Sequence, residues 1–403
     1  MTAHGNLNKL LASLKNYEGI RAADYATERP SLEPFKEFLK ALGSPQKSLE
    51  TVIIAGSKGK GSVLYDLEAM LRASGLKTGA YTSPHLLSVT ERIRLDGRDI
   101  SPEILMELVG RTIEVAEEIG YPLSFFECMT ACALLFFAQN RADLCLLEVG
   151  LGGRLDATNV TSPVLAVITT ILLEHTKILG DDLTSIATEK AAVIRDGCPV
   201  VSAPQAPEAV AVINARAAAE GTRVHYSAVI GDDVAAAVPF ETLNRAVAHQ
   251  AFRQLMSAEP PPAWQSLVRK SGRFDRRQVN GRTVIIDCAH HPTSLEAFLE
   301  RVSREYGEYE LAFACLSDKD VAGMLNVIRH YRPNMFYVVQ LDDRRAVKGS
   351  ELINKYLLDN DGNCAIIGTD ELKSVIMRNI ETLVVSGSFR IAGLALEQIE
   401  EQG

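Results

Sequence analysis

Short apolar runs alternating with amphipathic segments constrain this chain more than any other feature of its sequence. Thr51–Gly56 reads as a buried strand, and Lys60–Ser74 carries Val63, Leu67, Met70 and Leu71 at helical spacing. Further strands are predicted at Asp143–Val149, Val164–Thr169 and Pro199–Ser202, with helical patterns at Ser101–Ile119, Phe126–Gln139 and Leu183–Arg195 between them. Strands that alternate with helices need crossover connections, and these build a mostly parallel, doubly wound sheet. The rhythm stops at Glu259–Trp264 (EPPPAW), because successive prolines cannot sit inside a helix. It then resumes with strands at Thr283–Asp287, Tyr309–Cys315, Phe336–Leu341, Cys364–Ile367 and Thr382–Ser386, and with helices at Thr293–Tyr306 and Asp320–Tyr331. The expected organisation is therefore a larger α/β domain over 1–268 and a smaller, Rossmann-like α/β domain over 269–403.

Composition narrows the classes of function. A length of 403 residues, 47% apolar and 23% charged, suits two ordinary globular domains. A formal charge of −9 argues against a nucleic-acid-binding surface, and the cluster Arg273, Arg276 and Arg277 is too small to reverse that. No apolar run reaches the ~18 residues of a membrane span. The opening MTAHGNLNKLLASLKNYEG lacks the apolar centre and cleavage site of a secretory signal. Seven cysteines include no Cys-x-x-Cys pair, and Cys128 and Cys132 fall in an apolar helical stretch where burial outweighs metal binding. A monomeric, reduced, cytoplasmic protein is expected, with neither nucleic-acid nor membrane partners.

Two glycine-rich segments carry the chemistry. Gly56-Ser57-Lys58-Gly59-Lys60-Gly61-Ser62 follows an apolar strand and opens a helix, so its glycines and helix-start amides can wrap a polyphosphate, with Lys60 on the outer phosphates. Ile54 stands where a full phosphate-loop motif has its first glycine, so the segment alone also fits a strand-to-helix turn without ligand. In Leu147–Asn159 a strand ends at Glu148 and runs into Gly150-Leu151-Gly152-Gly153-Arg154-Leu155-Asp156. A carboxylate at a strand's carboxyl end can hold Mg²⁺ near nucleotide phosphates, or can simply be a surface Glu before a loop.

In order along the chain, these segments resemble the folylpolyglutamate synthase/dihydrofolate synthase family of the Mur ligase superfamily. The phosphate loop is similar to the family's Gly-Thr-Asn-Gly-Lys-Gly-Ser, and EVGLGGRLDATN matches its second signature throughout. Tyr81–Leu86 with Glu91-Arg92-Ile93, Leu173–Thr176 with Leu179-Gly180, and Glu189-Lys190-Ala191 match further blocks. So do Ser271–Phe274, Asp287-Cys288-Ala289-His290-His291-Pro292, Ser317–Asp320 and Ser386–Phe389. Lys58 replaces the usual Asn, Ser57 Thr, Cys288 Gly and His291 Asn.

What the resemblance implies is an ATP-dependent carboxylate–amine ligase with a phosphate-loop domain and a C-terminal glutamate-ligase domain. Gly56, Ser57, Gly59, Lys60, Gly61 and Ser62 would bind the ATP phosphates, Asn244 would reach the adenine, Arg273 the phosphates and Asp287 the ribose. Ser83, Glu148 and His175 would ligate Mg²⁺. Lys190 corresponds to the superfamily's carbamylated lysine, or is an ordinary salt-bridged lysine, and His290 would lie by the nucleotide or the incoming L-glutamate. The implied acceptors are dihydropteroate, folate or both; alternatives are another carboxylate acceptor, a non-catalytic nucleotide-binding regulator, or a P-loop kinase or simple NTPase. His85 either shapes its loop or touches substrate, and the Ser83–Glu91 loop and Phe125–Glu127 would wall the pterin pocket. His4, His225, His249 and His330 read as surface or satisfied core histidines.

Overall fold

The computed structural model describes residues 7, 9–16, 31–174, 176–227, 240–268, 271–357, 363–378 and 382–401. The chain divides into two compact units: one comprises Met1–Pro84 and Thr90–Val268, the other His85–Val89 and Arg269–Gly403. Both are sheets covered by helices, the doubly wound architecture that the alternation predicts.

In the first unit the strands are β1 (Thr51–Ala55), β2 (Thr78–Tyr81), β3 (Ile93–Leu95), β4 (Arg98–Asp99), β5 (Leu144–Glu148), β6 (Leu165–Ile168), β7 (Val200–Ser202) and β8 (Val224–Tyr226). Their order across the sheet is β4-β3-β2-β5-β1-β6-β7-β8. All neighbours from β2 to β8 pair in parallel, while β3 and β4 are antiparallel additions at one edge. The principal helices are α1 (Glu33–Ala41), α2 (Lys60–Ala73), α3 (Pro102–Glu118), α4 (Phe125–Gln139), α5 (Leu183–Ala191), α6 (Pro207–Ala219) and α7 (Phe240–Met256). Between β5 and β6 the chain passes from one side of β1 to the other, so the carboxyl end of β1 lies at the sheet's switch point.

Strand pleating sorts β1 between two cores. Val52 and Ile54 face Leu64, Leu67 and Leu71 of α2 and Val247, Ala251 and Phe252 of α7. Ile53 and Ala55 face the other way, onto Ile186 and Ala187 of α5 and Ile213 of α6. Cys128 and Cys132 are buried on α4, as their apolar setting predicts, with Thr112 Oγ1 3.2 Å from the Cys128 sulfur. Local chemistry sets several helix starts. Ser101 Oγ accepts from the Ile104 amide at α3, and Ser124 and Glu127 cap α4 reciprocally.

The second unit contains β9 (Asp275–Val279), β10 (Arg282–Ile286), β11 (Tyr309–Phe313), β12 (Met335–Val339), β13 (Cys364–Ile367) and β14 (Thr382–Ser386). Their order is β13-β12-β11-β14-β10-β9, parallel throughout except for β9 at the edge. Helices α8 (Pro292–Tyr306), α9 (Val321–Tyr331) and α10 (Gly349–Leu357) pack one face through Leu299, Leu325 and Tyr356. Helices α11 (Thr369–Ile376) and α12 (Phe389–Glu400) pack the other through Leu372 and Leu396. Asp320 caps α9 by accepting from the Gly323 amide at 2.9 Å.

Some expectations shift. The helix expected over Leu183–Arg195 ends at Ala191, because the chain turns there and sends Val193 and Ile194 into the core. Helix α7 has no counterpart in the periodicity reading, since its buried stripe mixes Val247 and Phe252 with two alanines and Asn244 among charged residues. The prolines of EPPPAW lie in the connection between Met256 and Trp264. Among the described residues no helix is long and apolar enough to cross a membrane.

Trp264 is the only tryptophan and is 3% exposed in the same cluster as Phe252. Phe252→Ala should cost the first unit ~3–5 kcal/mol through the lost transfer energy and the cavity left behind. Urea titration followed by tryptophan fluorescence measures this as a lowered midpoint.

Candidate active site

The phosphate-loop segment leaves the carboxyl end of β1 and becomes α2 at Lys60. Gly56 has φ +141° and Gly59 φ +92°, values that favour glycine. Space demands glycine as well: a Cβ on Gly56 would lie 2.0 Å from Thr169 Oγ1, and one on Gly59 2.1 Å from Asn244 Oδ1. The loop is stitched to the segment after β6. The Ser57 and Lys58 amides donate to the Thr170 carbonyl at 2.9 and 3.1 Å, and Ser57 Oγ exchanges hydrogen bonds with the Leu172 backbone. Lys60 folds back across the loop, donating from Nζ to the carbonyls of Gly56 (2.9 Å) and Ser57 (3.3 Å).

Glu148 ends β5 beside β1 and is only 6% exposed. The Ser83 amide donates to its Oε2 at 3.2 Å, and a Cβ on Gly61 would lie 3.5 Å from the same oxygen. Carboxylate, Ser83 and the first turn of α2 are thus brought together. Lys190, 2% exposed on α5, donates from Nζ to the Gly56 carbonyl at 2.9 Å and to Glu174 Oε1 at 3.2 Å. Burial pulls its amine down to about 8, Lys60 adds to the effect, and Glu174 opposes it. Burial also pulls Lys58 to about 8 against Glu174, and its Nζ lies 5.9 Å from the centre of the Phe240 ring.

The glycines after Glu148 pack closely rather than reach outwards. A Cβ on Gly153 would come within 2.6 Å of the Glu189 carbonyl, and one on Gly150 within 2.7 Å of Phe126 Cζ. Buried Asp156 organises this turn: Oδ2 accepts from the Gly150 and Leu151 amides, Oδ1 from the Thr158 amide and hydroxyl. Burial raises its pKa despite these bonds.

In the second unit Asp287 follows β10, with Oδ2 accepting from the Phe274 amide and Oδ1 from the Ala289 amide, both at 2.8 Å. Burial raises its pKa, with Arg273 and the two amides opposing. Arg273 stacks 5.0 Å over the Phe389 ring, and the His290 ring lies 5.5 Å from the same phenyl. His290 Nδ1 is 2.8 Å from the Cys288 carbonyl, which requires a proton on Nδ1 and makes Nε2 the basic nitrogen of the neutral ring. The carboxyl ends of the parallel neighbours β10 and β14 thereby gather Arg273, Asp287, His290 and Phe389.

Residues 272–388 match the Mur ligase, glutamate ligase domain. The dihydrofolate synthase/folylpolyglutamate synthase of Escherichia coli is 31% identical over 411 residues, covering 97% of this chain and 94% of that protein. The chain belongs to the folylpolyglutamate synthase/dihydrofolate synthase family. A structure of E. coli FolC in complex with DHPP and ADP superposes with a TM-score of 0.83 at 28% identity, covering 100% of this chain and 99% of that one. A probable bifunctional folylpolyglutamate synthase/dihydropteroate synthase of Haloferax volcanii is 33% identical over 74% of this chain, which spans only 40% of that relative's length.

Two of the departures from the family pattern, His291 and Cys288, have definite local settings. His291 is the N-cap of α8, its Nδ1 accepting from the Thr293 amide at 3.4 Å, so it serves at a position where Asn is also a good cap. Cys288 is buried, with its sulfur 2.8 Å from where a Gly272 Cβ would stand. In the first unit Gly56, Ser57, Gly59, Lys60, Gly61, Asn244, Ser83, Glu148 and Lys190 converge, and Ser62 lies in the first turn of α2. His175 and His4 lie outside the described residues. Glu174, the partner of Lys190, was missed as a site residue, although its place beside His175 in a matched block was a usable signal. Among the described residues no three His, Cys, Asp or Glu side chains cluster as a metal cage. Glu148 and the Ser83 hydroxyl are nonetheless hard oxygen donors of the kind Mg²⁺ takes alongside phosphate oxygens and water.

The depressed Lys190 amine has a consequence for stability. Between about 8 and its ordinary 10.5 the unfolded chain holds this proton and the folded chain does not, so stability rises with pH across that window. Urea unfolding of wild type and Lys190→Met from pH 7 to 10.5 should show the wild type gaining on the variant above pH 8.

Proposed function

We propose that this chain is an ATP-dependent ligase that joins L-glutamate to dihydropteroate, to (tetrahydro)folate or to both, through an acyl phosphate. The observation that carries this reading is the convergence of the phosphate loop, Ser83, Glu148 and Lys190 at the switch point of the first sheet. A family relative matched over nearly its whole length supports the choice of substrates.

The acceptor carboxylate attacks the γ-phosphorus of ATP, the bond to the β-phosphate oxygen breaks, and ADP leaves. The amine of L-glutamate then attacks the acyl carbon, the amide forms, inorganic phosphate leaves, and the amine proton passes to a base. No protein nucleophile is needed. Residues 56–62 bind the phosphates through backbone amides at the start of α2, and Lys60 offsets the charge that builds during transfer. Asn244, beside Gly59, is assigned to the adenine, and Arg273 and Asp287 to phosphate and ribose. Ser83, Glu148 and His175 would hold Mg²⁺, which would further neutralise the phosphate oxygens when bound. His290, with its proton on Nδ1, has Nε2 suited to take the amine proton. A neutral fraction of Lys190 near pH 8 leaves its amine open to carbamylation, which turns a cation into a carboxylate-like ligand. No step requires a second copy of the chain, and a monomer suffices.

ADP release should depend on L-glutamate together with dihydropteroate or tetrahydrofolate, and the product should gain one glutamyl mass. Lys60→Ala should lower kcat by on the order of 10²-fold or more, the scale of losing one preorganised charge-stabilising donor. ATP binding without glutamate-dependent ADP release would instead favour another acceptor or a regulatory role.

A further inference from the structure

Arg94 on β3 belongs to none of the residue sets above, yet its side chain is 6% exposed. Nε and Nη2 donate to Glu68 Oε2 at 3.3 and 2.9 Å. Nη1 donates to Tyr65 Oη (3.1 Å), Thr82 Oγ1 (3.2 Å) and the Glu91 carbonyl (3.3 Å), and the guanidinium lies 4.2 Å from the Tyr65 ring centre. Thr82 closes the network, donating from Oγ1 to the same Glu91 carbonyl at 3.4 Å. A buried ion pair rarely adds net stability over apolar residues of the same volume, so its value lies in what it orders.

What it orders falls in two places. Tyr65 and Glu68 are on α2, the helix that begins in the phosphate loop. Thr82 and Glu91 are the two stems of the segment 83–90, and the first residue of that segment, Ser83, reaches Glu148 through its amide. A planar fork with several donors can hold both stems at fixed distances from one helix, which an ammonium cannot.

We propose that Arg94 is a positioning residue: it locks the stems of the Ser83 segment onto α2 and so keeps Ser83 and Glu148 in register with the phosphate loop. This rests on the reading of Ser83 and Glu148 as Mg²⁺ ligands. Arg94 hydrogen-bonds neither Ser83 nor Glu148. It acts one contact further out than the hydrogen-bond partners of the ligands themselves, by restricting where the chain that carries Ser83 sits.

Titration calorimetry with the non-hydrolysable analogue AMPPNP, in EDTA and in saturating Mg²⁺, tests this on the full chain alongside thermal melts. Wild type should bind more tightly with Mg²⁺. Arg94→Met should erase about 10-fold of that Mg²⁺-dependent gain, the lower end for a lost outer-shell partner, while affinity in EDTA stays within about 2-fold of wild type. Arg94→Lys should recover only part of the loss. Thr82→Val, which removes one hydroxyl at nearly constant volume, should lose about 3-fold in the same direction and decides the matter if Arg94→Met does not fold. A full Mg²⁺-dependent gain in Arg94→Met, or in Thr82→Val if that variant alone folds, overturns the proposal. So does an equal loss with and without Mg²⁺, which marks a merely structural role. A wild type with no Mg²⁺-dependent gain overturns the reading of Ser83 and Glu148 instead.

Discussion

The ammonium groups of Lys60 and Lys190 both donate to one carbonyl oxygen, that of Gly56, each at 2.9 Å. A single carbonyl dipole cannot offset two like charges, and Lys60 is among the causes that depress the Lys190 amine. Glu174 contributes one countercharge. A bound polyphosphate would bring negative charge beside both ammonium groups, in addition to the bonds it takes from the amides of the helix start. Everything at this end of the sheet rests on the Gly56 backbone, whose φ of +141° and close approach to Thr169 aim that carbonyl. A Cβ there would lie 2.0 Å from Thr169 Oγ1, so the backbone that carries the shared acceptor of both lysines would have to shift.

Much of the fold was legible because burial writes itself into period. Strand β1, with both faces covered, is an unbroken apolar run, and α2 beside it repeats at helical spacing. Cys364–Ile367 and Thr382–Ser386 are strands with the bounds that their patterns predict. Several of the elements that stayed hidden carry a weak pattern. Helix α7 buries Val247 and Phe252 beside two alanines and Asn244 on an otherwise polar helix, β3 and β4 are short edge strands, and β9 alternates charged residues at the edge of its sheet. Local propensity carries little signal in such places, and tertiary packing decides.

The candidate site was legible to a similar depth. Glycine spacing and strand ends pointed to Lys60 and Glu148, because the chemistry of phosphate and metal binding demands those residue types there. The partnerships were not readable. That Lys190 shares its carbonyl with Lys60 and that Arg94 ties two stems to one helix depend on residues far apart in sequence, and even the four local donors of Asp156 show only once the turn is folded. His291 shows the converse. It departs from the Asn that the family has there, and its place at the head of α8 gives it a plain structural task.

The short passage His85–Val89 groups with the second unit although the chain on either side of it belongs to the first. Leu86 packs against that unit's core cluster, and its carbonyl oxygen is 2.5 Å from where a Gly393 Cβ would stand. The C-terminal unit is therefore not a self-contained cassette. A gene cut at residue 268 would leave one of its packing residues behind, so recombination could exchange the two units between relatives only by carrying a five-residue insert from the middle of the other partner.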